Sequence, residues 1–309
     1  MTDHNRALVI GANGFVGSHL VDELVTLGLS VTGFDRYSSA EPLHTHEATP
    51  FKGDFLNRED LRAALEGQDQ LFHFLSTSTP ATAENDPTFD IRTNVLQTVE
   101  LMTLAVESGV KHVYFASTGG AIYGDSATDV HSELDETKPV SPYAIGKLAI
   151  ENYLRYFNRR FGLATTSFRI SNPFGPRQRG DRKQGLIPIA LGHIARGEPV
   201  VQLGDGGMVR DYIFVEDLVK MIATVVQRGA RHSVYNLGSG EGRSVSSVLA
   251  TLREVTGRDF ETQVLPKPST FVGKTILDIS RFIADFGAPT LTPFEVGVRA
   301  TWLEMMDHQ

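Results

Sequence analysis

The sequence predicts an α/β protein with a doubly wound parallel sheet, followed by a smaller mixed α/β domain. Short apolar runs alternate with longer segments of helical periodicity through the first 170 residues, which is typical of βαβ units. A glycine-rich turn separates the first strand from the first helix. Beyond residue 170 the elements become shorter and more varied, so the parallel sheet is expected mainly in the N-terminal part.

The first βαβ unit shows the pattern most clearly. Ala7–Ile10 is predicted to be a buried strand, and the apolar residues after it recur at helical spacing until Gly28 ends the helix. The stretch Gly53-Asp54-Phe55 is expected to follow a third strand. The other predicted strands are Ser30–Phe34, Gln70–Leu75, His112–Ala116 and Ala164–Ile170, and the other predicted helices are Arg58–Glu66, Phe89–Ser108 and Pro142–Phe161.

A change of domain is predicted after Ile170, where the proline- and glycine-rich stretch 172–176 begins. A helix at Leu186–Arg196, a strand at Val200–Leu203 and a helix at Glu216–Gln227 are expected after it. We predict a cofactor-binding domain in residues 1–170, rejoined by about 211–237. A substrate-binding domain is predicted in residues 171–210 and 238–309.

Composition excludes several kinds of function. The 309 residues suit roughly two domains at about 150 residues each, and no cysteine is present for disulfides, thiolate metal sites or a thiol nucleophile. A formal net charge of −8 disfavours nucleic-acid or anionic membrane surfaces as partners. His44 and His46 lie in a predicted loop without metal-ligand spacing, so no metal is expected. Neither a signal peptide nor a membrane span is recognisable, which favours a cytoplasmic protein.

The turn Gly11-Ala-Asn-Gly14-Phe-Val-Gly17 ends a strand and begins a helix. This is the context in which glycines let the backbone approach a dinucleotide pyrophosphate, while the helix N-terminus offers free N–H groups. A tight turn without a ligand would need the same glycines. The ordered succession of strand, turn, helix and strand favours the Rossmann arrangement and a bound dinucleotide.

Asp35 ends the second strand and favours NAD, because a carboxylate there can accept hydrogen bonds from the ribose diol and repels a 2′-phosphate. The neighbouring Arg36 could instead hold that phosphate. Asp54, in the Gly53-Asp54-Phe55 stretch, is a candidate partner for the adenine amino group. It could equally be a turn or helix-capping residue.

A tyrosine and a lysine are placed for proton transfer. Ser141 and Pro142 predict the start of a helix, on which Tyr143 and Lys147 lie four residues apart and share one face. An ammonium about 4 Å from the phenol would favour its ionisation by about 4 kcal/mol at an effective dielectric of about 20. The preceding strand brings Ser117 and Thr118 to the carboxyl edge of the sheet, where open α/β sheets bind ligands. By themselves Tyr143 and Lys147 would also suit an ordinary amphipathic helix.

Together these motifs resemble the extended short-chain dehydrogenase/reductase family, most closely its NAD-dependent nucleotide-sugar epimerases of the UDP-glucose 4-epimerase type. The resemblance covers nearly the whole chain. It rests on the glycine turn, on Ser117-Thr118-x₄-Tyr123-Gly124, on Tyr143-x₃-Lys147, on Asn172-Pro173-x-Gly175-Pro176-Arg177 and on Arg210-Asp211-Tyr212-Ile213-x-Val215-x-Asp217-Leu218.

The resemblance implies a role for each matching residue. Tyr143 is the base, Lys147 holds the nicotinamide ribose and lowers the Tyr143 pKa, and Thr118, or alternatively Ser117, bonds the reacting sugar hydroxyl. Asn172 and Arg210 are implied ligands of the sugar nucleotide, Arg210 through the diphosphate. The implied NAD contacts are Gly11, Asn13, Gly14, Phe15, Val16, Gly17, Asp35, Arg36, Asp54, Phe55, Leu75, Asn94, Tyr143 and Lys147. Asn94 could equally be an ordinary polar helix residue.

The reaction expected is 4-epimerisation of a UDP-hexose through a transient 4-keto sugar, because Thr118 is followed by Gly119-Gly120-Ala121-Ile122 without the acid that family dehydratases and decarboxylases usually carry. The alternatives are a net NAD-dependent sugar dehydrogenase or reductase, a dehydratase or decarboxylase, and a non-catalytic NAD sensor. Family members are commonly homodimers through their long helices, so a homodimer is expected.

Two segments near the expected substrate leave the sugar and nucleotide open. The Arg-Pro-x-Asp stretch usual in relatives is replaced by Lys267-Pro268-Ser269-Thr270-Phe271. Lys267 could supply the charge but not the planar guanidinium. The basic residues Arg177, Arg179, Arg182 and Lys183 could form either a phosphate-facing lid or a solvated loop.

Overall fold

A computed structural model of the chain describes residues 5–38, 43–124, 128–180, 185–266 and 272–307. The described residues form two compact units. The first unit contains the chain up to Thr118 together with Ser141–Arg169 and Val219–Tyr235, and the second contains Gly119–Val140, Ile170–Leu218 and the chain from Asn236 onward. This grouping differs from the predicted boundaries in residues 119–140 and in the start of the returning segment. The division into cofactor and substrate domains stays a prediction.

The N-terminal half follows the predicted alternation of strands and helices. Its elements are β1 Arg6–Ile10, α1 Phe15–Thr26, β2 Ser30–Asp35, β3 Thr49–Lys52, α2 Arg58–Leu65, β4 Gln70–His73, α3 Pro80–Asn85, α4 Pro87–Asp90, a π-helical turn Ile91–Leu96, α5 Gln97–Glu107, β5 His112–Thr118, β6 Val130–His131 and α6 Pro142–Phe161.

The C-terminal half combines shorter strands with helices, as its texture predicts. Its elements are β7 Ala164–Ile170, β8 Asn172–Phe174, α7 Leu186–Arg196, β9 Val200–Leu203, β10 Val209–Phe214, α8 Val215–Arg228, β11 Val234–Leu237, β12 Gly242–Ser244, α9 Val245–Thr256, β13 Thr262–Leu265, β14 Lys274–Leu277, α10 Ser280–Phe286 and α11 Phe294–Asp307.

The main sheet has seven strands in the order β11-β7-β5-β4-β1-β2-β3. The pairs β1–β2, β1–β4, β2–β3 and β4–β5 are parallel. Chain order runs outward in both directions from β1 and β4, so the crevice beyond their carboxyl ends is the switch point at which doubly wound sheets bind ligands. The prediction of a doubly wound α/β fold is confirmed.

Most predicted elements agree with the structure to within about two residues at each end. One strand is shorter than predicted and one helix has a different internal geometry. The strand predicted at Gln70–Leu75 ends at His73, and the helix predicted at Phe89–Ser108 passes through the π-helical turn Ile91–Leu96. Apolar spacing predicts a helix over this span but does not predict a single π-helical turn inside it.

The second unit contains a sheet in the order β12-β10-β14-β6, with β8 paired to β10. A separate pair joins β13 to β9 in parallel. Its core packs Phe174 and Phe214 with Phe294 and Trp302, among other apolar residues of α7, α9 and α11.

Candidate active site

The glycine turn is packed too closely for side chains. A Cβ on Gly17 would lie 1.9 Å from the Gly11 carbonyl oxygen, and Gly11 itself has a φ of +90° and lies against the Leu75 backbone after β4. Gly14 caps α1 without a side-chain hydrogen bond, and Phe15 and Val16 begin the helix. The backbone of this turn therefore lies at the switch point and forms a cradle suited to a dinucleotide pyrophosphate.

Asp35 is tied to the same turn. Its Oδ2 accepts a hydrogen bond from the Asn13 N–H at 3.0 Å, and its Oδ1 accepts one from the Arg36 N–H at 2.7 Å. The Asn13 side chain in turn accepts a hydrogen bond from the Leu43 N–H. The half-buried carboxylate stands beside the turn, as the NAD prediction requires, whereas Arg36 is exposed.

The other predicted adenosine contacts differ in character. Asp54 is exposed, and its Oδ1 accepts a hydrogen bond from the Leu56 N–H at 2.9 Å, which is the turn role that the sequence left open. Phe55 is buried in the core with its ring 5.2 Å from that of His73. Leu75 is partly buried and lies against the glycine turn.

Helix α6 places Tyr143 and Lys147. The Ser141 hydroxyl accepts a hydrogen bond from the Ala144 N–H, and Pro142 stands in the first turn, as predicted. Lys147 is 6% exposed, and its Nζ donates to the Ala116 carbonyl at 2.8 Å and lies 4.7 Å from the centre of the Phe115 ring. Its distance to the Tyr143 ring centre is 5.6 Å. Strand β5 thus fixes the ammonium beside the tyrosine ring.

The electrostatics of the pair include two influences that the sequence analysis did not consider. Burial and the Asp90 carboxylate raise the pKa of Tyr143 to about 12, and the implied lowering of that pKa by Lys147 stays a prediction. Burial lowers the pKa of Lys147 to about 8, against the opposing effects of Asp90 and Glu151. The sequence argument treated the two groups as a pair partly exposed to water and omitted both desolvation and Asp90.

The two hydroxyls after β5 have different surroundings. Ser117 is buried and donates to Glu151 Oε1 at 2.5 Å. Among the described residues the half-buried Thr118 hydroxyl makes no hydrogen bond, which leaves it available to a ligand. The single proton of the Ser117 hydroxyl is thus already donated to a buried carboxylate, whereas the roles predicted for Ser117 and Thr118 stay predictions.

Glu151 belongs to a buried ion pair that the sequence analysis missed. Its two oxygens accept hydrogen bonds from Arg169 Nε at 3.2 Å and Nη2 at 2.8 Å, and both side chains are 7% exposed. The pair links α6 to β7 and reaches β5 through Ser117. The sequence spacing could have placed Glu151 near the site, because it lies one turn beyond Lys147 on the same helix.

Asn94 lies inside a second buried network. Its Oδ1 accepts from the Thr77 N–H, and its Nδ2 donates to Ser78 Oγ and to Asp90 Oδ1, each at 2.9 Å. Ser78 also donates to Asp90. A small cleft contains Ser76, Asp90, Asn94, Tyr143, Gly146, Lys147 and Ile150. The structure therefore brings Asn94 to the tyrosine–lysine site, with its amide bonded within the protein, and adds Asp90, which sequence reasoning missed.

The predicted sugar-nucleotide ligands lie in the second unit. Asn172 Nδ2 donates to the Asp211 carbonyl at 2.9 Å. The Arg210 guanidinium donates to the carbonyls of Val209, Val272 and Gly273. The neighbouring Asp211 is buried and accepts hydrogen bonds from Ser239 and Gly240, so this strand is held rigidly.

The basic loop is described only in part. The Arg177 N–H donates to the Glu304 carboxylate at 2.8 Å. Arg182 and Lys183 lie outside the described residues, as does the Lys267–Phe271 stretch. The lid and solvated-loop alternatives, and the role of Lys267, stay open.

The described ranges contain neither a metal-binding cluster nor a membrane-spanning helix. No group of three or more histidine, aspartate or glutamate side chains there could hold a metal ion. No helix in the same ranges is both long and apolar enough to cross a membrane.

The fold and this site define the class of protein: an α/β enzyme with a Rossmann-type parallel sheet. The sequence profile of the NAD dependent epimerase/dehydratase family matches residues 7–238, and the chain belongs to that family. The prediction of an NAD-dependent nucleotide-sugar epimerase is confirmed at this level.

Three known proteins show what the chain is similar to. UDP-glucose 4-epimerase of Mycolicibacterium smegmatis is 32% identical over 89% of this chain and 90% of its own length. dTDP-4-dehydro-6-deoxyglucose reductase of Escherichia coli is 29% identical over 92% of both. The crystal structure of UDP-glucose 4-epimerase from Thermotoga maritima with UDP-glucose superposes with a TM-score of 0.92, at 32% identity, over 98% of this chain and 99% of that one.

Proposed function

We propose that this protein interconverts UDP-hexoses that differ in configuration at C4, with Tyr143 as the base and a transient 4-keto sugar. The observation that carries the proposal is the set formed by the unbonded Thr118 hydroxyl, Tyr143 and the buried Lys147 in the first unit. A hydroxyl, a phenol and an ammonium suit removal of a proton from an alcohol. The glycines after Thr118 supply no acid for a further elimination step.

The residues present fit NAD. The cradle of Gly11, Gly14 and Gly17 and the helix beginning after Gly14 would hold the pyrophosphate, and Asp35 would hold the adenosine ribose. Lys147 would hold the nicotinamide ribose. When bound, NAD supplies a hydride acceptor that also returns the hydride, so no external reductant is consumed.

Side chains of the protein itself carry out the proton transfer. Thr118 would orient the C4 hydroxyl of the sugar towards Tyr143 Oη, which takes its proton and later returns it. The Tyr143 pKa of about 12 must fall when the site is filled, because a base works best with a pKa near the working pH. Lys147, held by the Ala116 carbonyl, stabilises the phenolate before it takes the proton and again after it returns it. Rotation of the 4-keto sugar before reduction gives the other epimer.

The sugar nucleotide is assigned to Asn172 and Arg210 of the second unit. The relative from Thermotoga maritima was solved with UDP-glucose, which supports a UDP-sugar as substrate. If Arg210 clamps the diphosphate, Arg210→Ala should raise KM for every UDP-sugar by a similar factor, because that contact is the same in ground and transition states. The same change caused by Lys267→Ala alone would assign the clamp to Lys267.

A net sugar dehydrogenase or reductase is the second candidate. The Escherichia coli relative is a reductase by name, and the same hydroxyl, tyrosine and lysine would serve hydride transfer in one direction. The two candidates differ in cofactor balance, because epimerisation leaves NAD unchanged whereas a dehydrogenase accumulates NADH.

The proposal is tested by incubating the purified protein with NAD and, separately, UDP-glucose, UDP-galactose, their N-acetyl forms and UDP-glucuronate. We expect the C4 epimer of at least one substrate by chromatography, without lasting absorbance at 340 nm. Stoichiometric NADH without an epimer would establish the dehydrogenase instead. Tyr143→Phe is the negative control.

A homodimer also stays a proposal, supported by apolar side chains on the outer surface of α6. Ile145, Tyr153 and Tyr156 are 53%, 44% and 53% exposed and lie along one stripe of the helix. Light scattering should give twice the chain mass of 33.9 kDa, and Tyr156→Glu should weaken the dimer. A wild-type protein of single-chain mass would contradict the assignment. The cytoplasmic location stays a prediction.

A further inference from the structure

The Asp90 carboxylate is buried at the end of α4 and faces helix α6. It is 2% exposed. Its Oδ1 accepts hydrogen bonds from Ser78 Oγ and Asn94 Nδ2, and its Oδ2 lies so close to Gly146 that a Cβ there would stand 2.5 Å away. Gly146 lies between Tyr143 and Lys147, and all four residues line one cleft. Only glycine at 146 allows the carboxylate to come this close to the helix.

The charges around this cleft are unevenly balanced. Glu151 has a cation of its own, because Arg169 binds both of its oxygens. Asp90 is bonded to neutral donors, and no cation of the described chain lies within ion-pair distance of it. His73 also lies near Lys147, but burial lowers its pKa to about 3 and leaves it neutral. Among the described residues around this cleft, Lys147 and Asp90 therefore each carry a buried charge without an opposite charge in direct contact.

We propose that Asp90 is a positioning residue of the tyrosine–lysine site: Ser78 and Asn94 hold its carboxylate against Gly146, where its negative charge balances the buried Lys147 ammonium. A buried ammonium loses its proton readily unless a negative charge is nearby. The same negative charge opposes ionisation of Tyr143. Asp90 thus sets the pH range over which Tyr143 and Lys147 lose their protons without itself touching the substrate.

The electrostatic effects on both groups agree with this geometry. After burial, Asp90 is the largest influence on Lys147 and raises its pKa, and it also raises the pKa of Tyr143. Removing the charge should therefore lower both pKa values. The Asp90→Asn variant is well suited to the test, because an amide oxygen can still accept both hydrogen bonds at Oδ1.

The first measurement needs no catalytic activity. Lysine labelled with ¹³C at Cε is incorporated, and the Lys147 signal is identified by its loss in Lys147→Arg. In the cofactor-free protein we expect a Lys147 pKa of about 8, lowered on the order of one unit by Asp90→Asn. The matched control is Asp86→Asn, which removes the same charge at an exposed helix cap four residues earlier. It should leave the Lys147 pKa unchanged.

The second measurement rests on the proposed function. The bell-shaped pH profile of kcat/KM for epimerisation should move as a whole to lower pH in Asp90→Asn, because both groups then lose protons more easily. A loss of rate without any displacement of the bell, together with an unchanged Lys147 pKa, would overturn the proposal and leave Asp90 a structural residue. A displaced Lys147 pKa in a protein without epimerase activity would refute the proposed function alone.

A second variant tests the proposal independently, in case Asp90→Asn does not fold. Gly146→Ala keeps the Asp90 charge but pushes it away from α6, since the new Cβ would collide with Oδ2. We expect the same direction of change in the Lys147 pKa, smaller than in Asp90→Asn. An unchanged value in a folded Gly146→Ala protein would count against Asp90 as the balancing charge.

Discussion

The buried ion pair of Glu151 and Arg169 provides the sharpest test of how α6 is held. Arg169→Met keeps much of the side-chain volume but removes the guanidinium that bonds both Glu151 oxygens at 3.2 and 2.8 Å. Among the described residues, Glu151 would then remain buried with the Ser117 hydroxyl as its one hydrogen-bond donor, at 2.5 Å. The cost comes from an uncompensated buried charge rather than from lost apolar contact.

The magnitude follows from the burial of both groups. Each side chain is only 7% exposed, and removing one partner of a buried pair costs about 3–5 kcal/mol. At roughly 2–4 °C per kcal/mol, the melting temperature should fall by roughly 6–20 °C. The matched control is Arg62→Met, which breaks an ion pair with Glu107 of similar length, 3.3 Å, in which both side chains are 47% exposed. An exposed pair is worth at most about 1 kcal/mol.

Differential scanning calorimetry of the two variants measures the difference directly. Arg169→Met combined with Glu151→Leu should recover much of the loss, because removing both charges leaves neither of them unpaired. The reasoning is refuted if Arg169→Met destabilises the protein no more than Arg62→Met does.

Three further variants test separate parts of the site. Tyr143→Phe should retain NAD, measured by calorimetric titration, while turnover falls at least about 10²–10⁴-fold because proton transfer is lost; turnover near wild type would exclude Tyr143 as the base. Asp35→Ala should weaken NAD binding and reduce discrimination against NADP, and an unchanged preference would place that role elsewhere. His73, with its pKa lowered to about 3, binds a proton more readily in the unfolded chain. Stability should therefore fall by about 1.4 kcal/mol per pH unit as the pH drops from about 6.5 towards 3. His73→Gln should flatten that slope in urea unfolding series, whereas the exposed His46→Gln should not, and equal slopes would contradict the buried neutral state.

Local sequence signals predicted much of the secondary structure that positions the site. Ser141, Pro142 and the four-residue spacing of Tyr143 and Lys147 act within one helix, so the start of α6 and its shared face could be inferred without knowledge of the rest of the chain. The glycine turn and Asp35 were predictable for a similar reason. A strand, a tight turn and a helix occur there in direct succession.

The charges beneath the site could not be predicted in this way. Asp90 reaches Gly146 from a different helix, and Arg169 reaches Glu151 from a strand, so each contact depends on tertiary packing. For the same reason neither the hydrogen bond from Ser117 to Glu151 nor the effect of Asp90 and burial on the Tyr143 pKa could be predicted. The π-helical turn Ile91–Leu96 was likewise predicted only as part of a longer helix.

The central claim is that the configuration at C4 is inverted by removal and return of the same hydride. It is tested most directly with a UDP-hexose that carries deuterium at C4, chosen from the pair that the protein interconverts. The account predicts that the isolated epimer retains the deuterium at C4 by NMR and mass spectrometry, with no net NADH formed. Loss of the deuterium to solvent, or its accumulation in NADH without an epimer, would contradict it.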